Sequence, residues 1–272
     1  MAASALNRPA VAVVHQMART GGTLVNRCLG SMRDIQVLSE VHPLDPQGKL
    51  TRQAAGWFQL LNEGDKPWLR GLSARNPLSA FAEIVGRLAE RSAERGRHLV
   101  LRDWSHLDFL GVPFVHRPPM QLLTEAALRD GCDLRQAFLV RHPLDQYASS
   151  ASRPAMAPHL TPDRFLYAYH AFARVAVARG FQRYEDFVEE PDRQLRELCQ
   201  TLRLPFDPGY EERWQTYDKL TGDITGPSRG FTKHDIAPMP ALRLDDATRD
   251  ALRCNGGYRE CLDLLGYADR PD

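Results

Sequence analysis

Short apolar runs alternate with longer amphipathic ones along most of the chain. Residues 11–14, 35–38, 98–101, 135–140 and 181–184 are strand-length apolar segments that end in turn or polar residues. Between and after them, residues 51–62, 77–95, 120–129, 144–152, 162–179, 191–202 and 245–265 carry the spacing of helices. Prolines stand at several of their starts, and Gly96 and Gly180 mark two of their stops. Strand and helix in this order predict an α/β fold of three layers, a central and mainly parallel sheet flanked by helices. No repeat, low-complexity tract or linker interrupts the pattern, so one domain over residues 1–272 is expected. Residues 109–119 hold three prolines and several aromatics, which suits an ordered loop over a site.

Charge narrows the function classes. The chain has 35 Lys and Arg against 34 Asp and Glu, a formal net charge of +1. That balance points to neither nucleic acid nor an anionic membrane, so any anion site has to be built locally. No run reaches the length of a membrane span, and the first residues, MAASALNRP, lack the apolar core of a secretory signal. The five cysteines, Cys28, Cys132, Cys199, Cys254 and Cys261, are scattered, odd in number and without C-x-x-C spacing. Reduced, mostly buried thiols in a cytoplasmic protein are expected, with no zinc site and no other metal.

Polar clusters fall at the ends of four strands: residues 19–23, 39–42, 102–106 and 141–149. Ligands of open parallel sheets sit beyond those ends, near the point where strand order reverses. The first cluster is a glycine loop, Arg19-Thr20-Gly21-Gly22-Thr23, followed by the amphipathic run Leu24, Val25, Cys28, Leu29. A glycine loop entering a helix N-terminus aims backbone N–H groups at an anion, and the helix dipole adds to the attraction. The loop lacks the Lys of a Walker A sequence, and G-x-G-x-x-G is absent. An ordinary turn, with glycine supplying positive φ, is the alternative. The fourth cluster delivers Arg141 at a strand end and Ser149 inside the next helix. Arg offers a planar fork for phosphate and Ser a neutral donor. Alternatively, Arg141 pairs with Asp145 and Ser149 faces water.

Together the two motifs resemble the sulfotransferase family, closer to its bacterial carboxylate-base members than to its His-base cytosolic ones. Arg19-Thr20-Gly21-Gly22-Thr23 is similar to the family's 5′-phosphosulfate loop, and Arg141 with Ser149 to its 3′-phosphate signature. Arg183-Tyr184-Glu185-Asp186-Phe187 with Glu190-Pro191, and the late Ser228-Arg229-Gly230, resemble two further family segments, so the likeness spans roughly residues 10–232. It implies 3′-phosphoadenosine-5′-phosphosulfate as donor and sulfuryl transfer to an acceptor hydroxyl or amine, with no metal. It implies that Arg19, Thr20, Gly21, Gly22, Thr23 and Leu24 hold the 5′ end. Arg141, Ser149, Arg229 and Gly230 would hold the 3′-phosphate, and Tyr184 would contact adenine. Arg19 then stabilises the charge that grows on the leaving phosphate.

Acceptor activation needs a base. Glu40, at the second strand's end, suits the position that carboxylate-base members use and ranks first, His106 second, with Asp103 and His42 behind. The His-base members read Lys-Thr-His after their third strand; here Arg102-Asp103-Trp104 stands instead, with His106 two residues late. Residues 43–76 and 104–119, with Trp57, Phe58, Trp68, Trp104, Phe109, Phe114 and His116, are expected on the acceptor side. Such a wall suits a small-molecule acceptor, although core packing accounts for the same aromatics. Two rival readings share the opening strand, loop and helix: a P-loop nucleotide or small-molecule kinase, and a non-catalytic nucleotide-binding protein.

Overall fold

The computed structural model describes residues 8–222, 236–238 and 242–270. Five strands, β1 (Ala10–Gln16), β2 (Ile35–Val41), β3 (His98–Asp103), β4 (Asp133–Val140) and β5 (Gln182–Arg183), form one parallel sheet in the order β2-β3-β1-β4-β5. The chain leaves β1 for the β2 edge, returns through β3, and then adds β4 on β1's other side. Strand order therefore reverses at β1, and the loops after β1 and β4 open a crevice there.

Alternation along the strands sets the layers. Ala12, Val14, Val37, Val100, Ala137 and Leu139 face one way. They pack under α1 (Gly22–Ser31), α9 (Tyr184–Glu189), α10 (Pro191–Leu202) and α11 (Tyr210–Arg213). Val11, Val13, Leu38, Leu99 and Leu101 face the other way, under α2 (Lys49–Gly56), α4 (Pro77–Glu94) and α6 (Leu123–Leu128). On the same side, Phe138 and Val140 meet α8 (Pro162–Arg179) and α13 (Gly256–Leu265). The short α3 (Lys66–Leu72) and α5 (His106–Phe109), with α7 (Pro143–Ala151) and α12 (Asp246–Cys254), complete the helices used below.

One strand breaks the alternation. Register on β3 passes from Ser39 opposite Arg102 to Val41 opposite Asp103, so Glu40 is an extra, bulged residue. By simple alternation Val41 would share a face with Val37, yet it packs with Leu38's cluster. The bulge has flipped the parity of the strand end. Glu40 takes the left-handed backbone conformation (φ 54), which disfavours non-glycine residues and recurs at functional sites.

Local chemistry shifted several boundaries. The helix expected over 51–62 is Lys49–Gly56, because the chain turns through Gln59 at φ 50 and Asn62 caps the next turn. That expected over 120–129 starts only at Leu123, since Met120 has φ 58 and Asp108 accepts from the N–H groups of Met120 and Leu123. The terminal helix is two, split at Asn255, whose extended backbone and side-chain cap to Gly257 N–H start α13. The fifth strand is only Gln182–Arg183, because Tyr184 already opens α9. The cysteines are free, four buried and Cys254 exposed. No helix among the described residues is long and apolar enough to cross a membrane.

Candidate functional site

The crevice at the reversal point widens into a cavity of about 740 Å³ lined from all four polar strand ends. After β1, the chain turns through Arg19 (φ 69) and Gly21 (φ 94) into α1. Gly21 is required by its positive φ and by the ring behind it, and a side chain at Gly22 would displace the Gln16 amide. A Cβ on Gly21 would stand 2.1 Å from the Tyr184 ring, and one on Gly22 would stand 1.6 Å from the Gln16 amide. The loop is thus clamped from behind, and Arg19, Gly21, Gly22, Thr23 and Leu24 line the cavity. Thr20 is buried, and its hydroxyl donates to the Met17 carbonyl at 2.7 Å, closing the turn instead of facing the cavity. Tyr184 also lies behind the loop, buried, with the Arg141 guanidinium 5.1 Å from its ring centre.

Strand β4 brings Arg141 against this loop, where Nη1 donates to the Arg19 carbonyl at 3.1 Å. Its own carbonyl accepts from the Tyr169 hydroxyl of α8. Ser149, in the second turn of α7, accepts from Arg19 Nε at 3.0 Å. Arg19, Arg141 and Ser149, which lie far apart in sequence, therefore share one corner of the cavity, with Arg153 beside them. The alternative pairing of Arg141 with Asp145 is displaced, since Asp145 sits 2.7 Å from Arg270. Burial lowers the proton affinity of the Arg19, Arg141 and Arg153 guanidiniums. Guanidinium's ordinary pKa is so high that all three stay charged. Arg229 and Gly230 lie outside the described residues.

The opposite wall holds the candidate bases. The bulge puts Glu40 beside Ser39 instead of across the sheet from it, and both reach Arg102. Arg102 Nη2 lies 3.4 Å from Glu40 Oε1, and Nη1 donates to Ser39 Oγ at 3.1 Å. Nη2 also reaches Thr23 Oγ1 at 3.4 Å. With the Gln16 amide oxygen turned toward it, Arg102 donates there from Nη2 at 3.0 Å and Nε at 2.6 Å. Arg102 thus links the glycine loop to Glu40. Lys49 Nζ and Thr221 Oγ1 hold the other carboxylate oxygen, at 3.6 and 2.9 Å. Burial raises the proton affinity of Glu40, but Arg102, Lys49 and the Thr221 hydroxyl outweigh it, so its pKa falls below the usual range. Glu40 is therefore an ionised carboxylate, 17 % exposed at its side chain.

His106 lines the same wall. Burial pushes its pKa down to about 4, so the imidazole is neutral. Its Nδ1 is sealed from the cavity and has no hydrogen-bond partner among the described residues. The two lower-ranked bases are committed elsewhere. Asp103 accepts from Ser105 Oγ (2.6 Å) and Thr124 Oγ1 (2.6 Å) and pairs with His15 Nδ1 (2.8 Å). His42 Nδ1 accepts from Leu44 N–H, which leaves Nε2–H to donate to Asp108 at 3.0 Å. These buried pairs brace the strand ends beneath the cavity.

The expected aromatic wall is only partly there. Trp104 and Phe114 line the cavity, with Val112, Pro113 and Met156. Trp57, Phe58 and Trp68 pack in the core around α2 and α4, and Phe109 packs against α8. His116 lines a separate cavity of about 330 Å³. Three cavity residues lacked a sequence signal strong enough to assign: Lys49, Arg102 and Arg153. Arg102 stood in a polar cluster at a strand end, which was the one available hint. Lys49 opens a helix after an unremarkable Gly48 turn and offered none.

No family model and no curated protein matches the chain. Solved structures do. A sulfotransferase domain of the Synechococcus PCC 7002 olefin synthase aligns with TM-score 0.54 and 20 % identity over 97 % of this chain and 96 % of its own. The sulfotransferase domain of the curacin biosynthetic pathway aligns with TM-score 0.55 and 17 % identity over 97 % and 99 %. A sulfotransferase of Mycobacterium avium aligns with TM-score 0.50 and 14 % identity over 97 % and 78 %. At such identities the likeness speaks for architecture, and it runs nearly end to end: the chain has the sulfotransferase fold.

Proposed function

We propose that the protein transfers a sulfuryl group from 3′-phosphoadenosine-5′-phosphosulfate to a hydroxyl, or an amine, of a small-molecule acceptor. The observation that carries this reading is the convergence of two anion motifs and one ionised carboxylate on a single cavity, with Arg102 spanning the distance between Thr23 and Glu40. The α1 N-terminus, Arg19 and Thr23 hold the 5′ end of the donor, and Arg141 and Ser149 hold the 3′-phosphate. Tyr184 supports the donor site from behind Gly21. In the transfer, the bond between sulfur and the bridging phosphate oxygen breaks as the acceptor oxygen bonds to sulfur. Negative charge grows on the leaving phosphate, where fixed guanidiniums stabilise it without reorganising.

Glu40 is the base in this reading. Its carboxylate is ionised at neutral pH and reaches the cavity, whereas the His106 Nδ1 is sealed. Low proton affinity does not disqualify it, because the acceptor proton becomes strongly acidic as its oxygen joins sulfur. The test is calorimetry with 3′-phosphoadenosine-5′-phosphate, ADP and magnesium-ATP. Binding of the first without magnesium, weakened by Arg141→Ala, supports the donor assignment. Preference for magnesium-ATP overturns it in favour of a kinase, and donor binding with no transfer to any acceptor in a hydroxyl and amine screen reduces it to a binding protein.

A further inference from the structure

The acceptor wall contains a buried cation that neither anion motif uses. Lys49 opens α2, and its ammonium sits 3.3 Å from the centre of the Trp104 ring and 3.6 Å from Glu40 Oε2. Its side chain is 10 % exposed. Holding a lysine there is costly, since burial lowers the proton affinity of the ammonium, and Glu40 and Asp45 act against that. The preceding turn is built to place it. Asp45 accepts from the N–H groups of Gln47 at 2.9 Å and Lys49 at 2.8 Å, and Gly48 takes the left-handed conformation that starts the helix. Trp104 in turn is braced edge-on by His106 and Phe114. The ammonium thus occupies a rigid seat, an aromatic face on one side and a carboxylate on the other.

We propose that Lys49 is a positioning residue for the acceptor step: seated on Trp104, its ammonium keeps the bulged Glu40 carboxylate turned into the cavity, against the pull of Arg102. The inference rests on the reading of Glu40 as the proton acceptor. Glu40 is faced by Arg102 of β3, Lys49 of α2, Thr221 of the segment beyond α11, Arg19 of the glycine loop and His106 of α5. Arg102 draws on Oε1 and Lys49 on Oε2, so the carboxylate is stretched between two cations on different elements. Without Lys49, Arg102 is the one cation within 4 Å of the carboxylate among the described residues, and Oε2, then held by the Thr221 hydroxyl alone, can turn toward its fork, away from the acceptor. Lys49 also covers the Trp104 face it sits on. An acceptor packs beside that ring, among Phe114, Val112 and Pro113, and does not stack on the covered face.

The test compares the whole protein with Lys49→Met and Lys49→Arg. Carboxyl titration of Glu40, followed by carbon NMR of glutamate-labelled protein and assigned with Glu40→Gln, is read first because it needs no turnover. The midpoint is expected to move to higher pH in Lys49→Met, which loses a nearby cation, and to return toward wild type in Lys49→Arg. In the transfer assay, kcat of Lys49→Met is expected to fall by up to roughly 100-fold, the cost of misplacing a reacting group by about 1 Å. Its acid limb is expected to move in the same direction as the titration, and affinity for 3′-phosphoadenosine-5′-phosphate to stay unchanged. An unmoved Glu40 midpoint overturns the proposal whatever the protein transfers. So does a Lys49→Arg variant that folds and fails to restore the midpoint. A wild type that binds no 3′-phosphoadenosine-5′-phosphate overturns the donor assignment instead, while the titration still decides the coupling of Lys49 to Glu40.

Discussion

The two halves of the cavity handle charge in opposite ways. On the glycine-loop side, Arg19, Arg141 and Arg153 gather with the start of α1, and Asp145 of α7 pairs with Arg270. Across the cavity, one carboxylate is held between two cations, and the adjacent imidazole is kept neutral by burial. The first half gathers three guanidiniums at one corner, the arrangement that the proposed reading assigns to a multiply charged anion. The second is balanced close to neutrality around a single proton acceptor, with apolar walls of Val112, Pro113, Phe114 and Met156. Arg102 stands on the border and serves both. A reaction that moves a charged group from an anionic carrier to a neutral nucleophile needs this division, because cations on the nucleophile's side would hold the incoming group's charge without helping the leaving group depart.

Breaking the acceptor half should have the largest effect. Glu40→Gln keeps the shape and removes the proton acceptor, so kcat is expected to fall by about 10²–10⁴-fold. Donor affinity is expected to hold, since Glu40 belongs to the other half. If calorimetry shows the loss in donor binding and kcat stays, the two halves are not separable and Glu40 acts on the donor.

His106 gives the acceptor half a pH signature in stability. Its pKa falls from an ordinary 6.5 to about 4 on folding, because burial penalises the imidazolium. Between those values the unfolded chain binds more protons at this site than the folded one. The contribution is therefore complete above pH 6.5, declines as pH falls toward 4, and levels off below, a swing on the order of 3 kcal/mol. Urea unfolding of wild type and His106→Gln between pH 7 and pH 4 checks the sign: the stability difference between them should shrink as pH falls. A constant difference would mean that His106 takes up its proton as readily in the folded protein as in the unfolded chain, so that burial does not hold it neutral.

The donor half should respond in binding. Arg141→Ala removes a charge-assisted donor worth about 1.5–3 kcal/mol, or roughly 10–150-fold in affinity for 3′-phosphoadenosine-5′-phosphate. Stability should suffer less, because the protein contact that Arg141 Nη1 makes is a neutral carbonyl, that of Arg19. Equal binding by wild type and Arg141→Ala would sink the 3′-phosphate assignment while leaving Glu40 untouched.

These halves also differ in how far the sequence disclosed them. The donor half is built from contiguous motifs at strand ends, Arg19 to Leu24 and Arg141 to Ser149, and each announces itself by glycine or arginine beside an apolar run. The sheet was legible for the same reason, since period-two and helical spacing are local. The acceptor half is assembled from distant pieces. Glu40 was in view as a carboxylate at a strand end, but not the bulge that aims it, which is visible only once Val41 is seen on Leu38's face. Lys49 and Thr221 meet Glu40 through tertiary packing alone, with Thr221 181 residues away. Aromatic content misled for a related reason: Trp57, Phe58 and Trp68 were as eligible for a pocket as Trp104, and their packing into the core cluster on the Leu38 face decided between them.

The finest distinction lies within the glycine loop, where two threonines three residues apart look equivalent in sequence. Thr20 spends its hydroxyl on the Met17 carbonyl and is buried, whereas Thr23 presents its hydroxyl to Arg102 in the cavity. Thr20→Val should therefore cost about 1 kcal/mol of stability, the value of one buried hydrogen bond, and leave donor affinity nearly unchanged. Thr23→Val should do the reverse, lowering donor affinity by roughly three- to tenfold at nearly wild-type stability. Thermal unfolding and calorimetry on the pair separate the outcomes. If Thr20→Val weakens donor binding as much as Thr23→Val, the turn is not a scaffold behind the site but part of it, and the corner that holds the anion extends one layer deeper than the cavity wall.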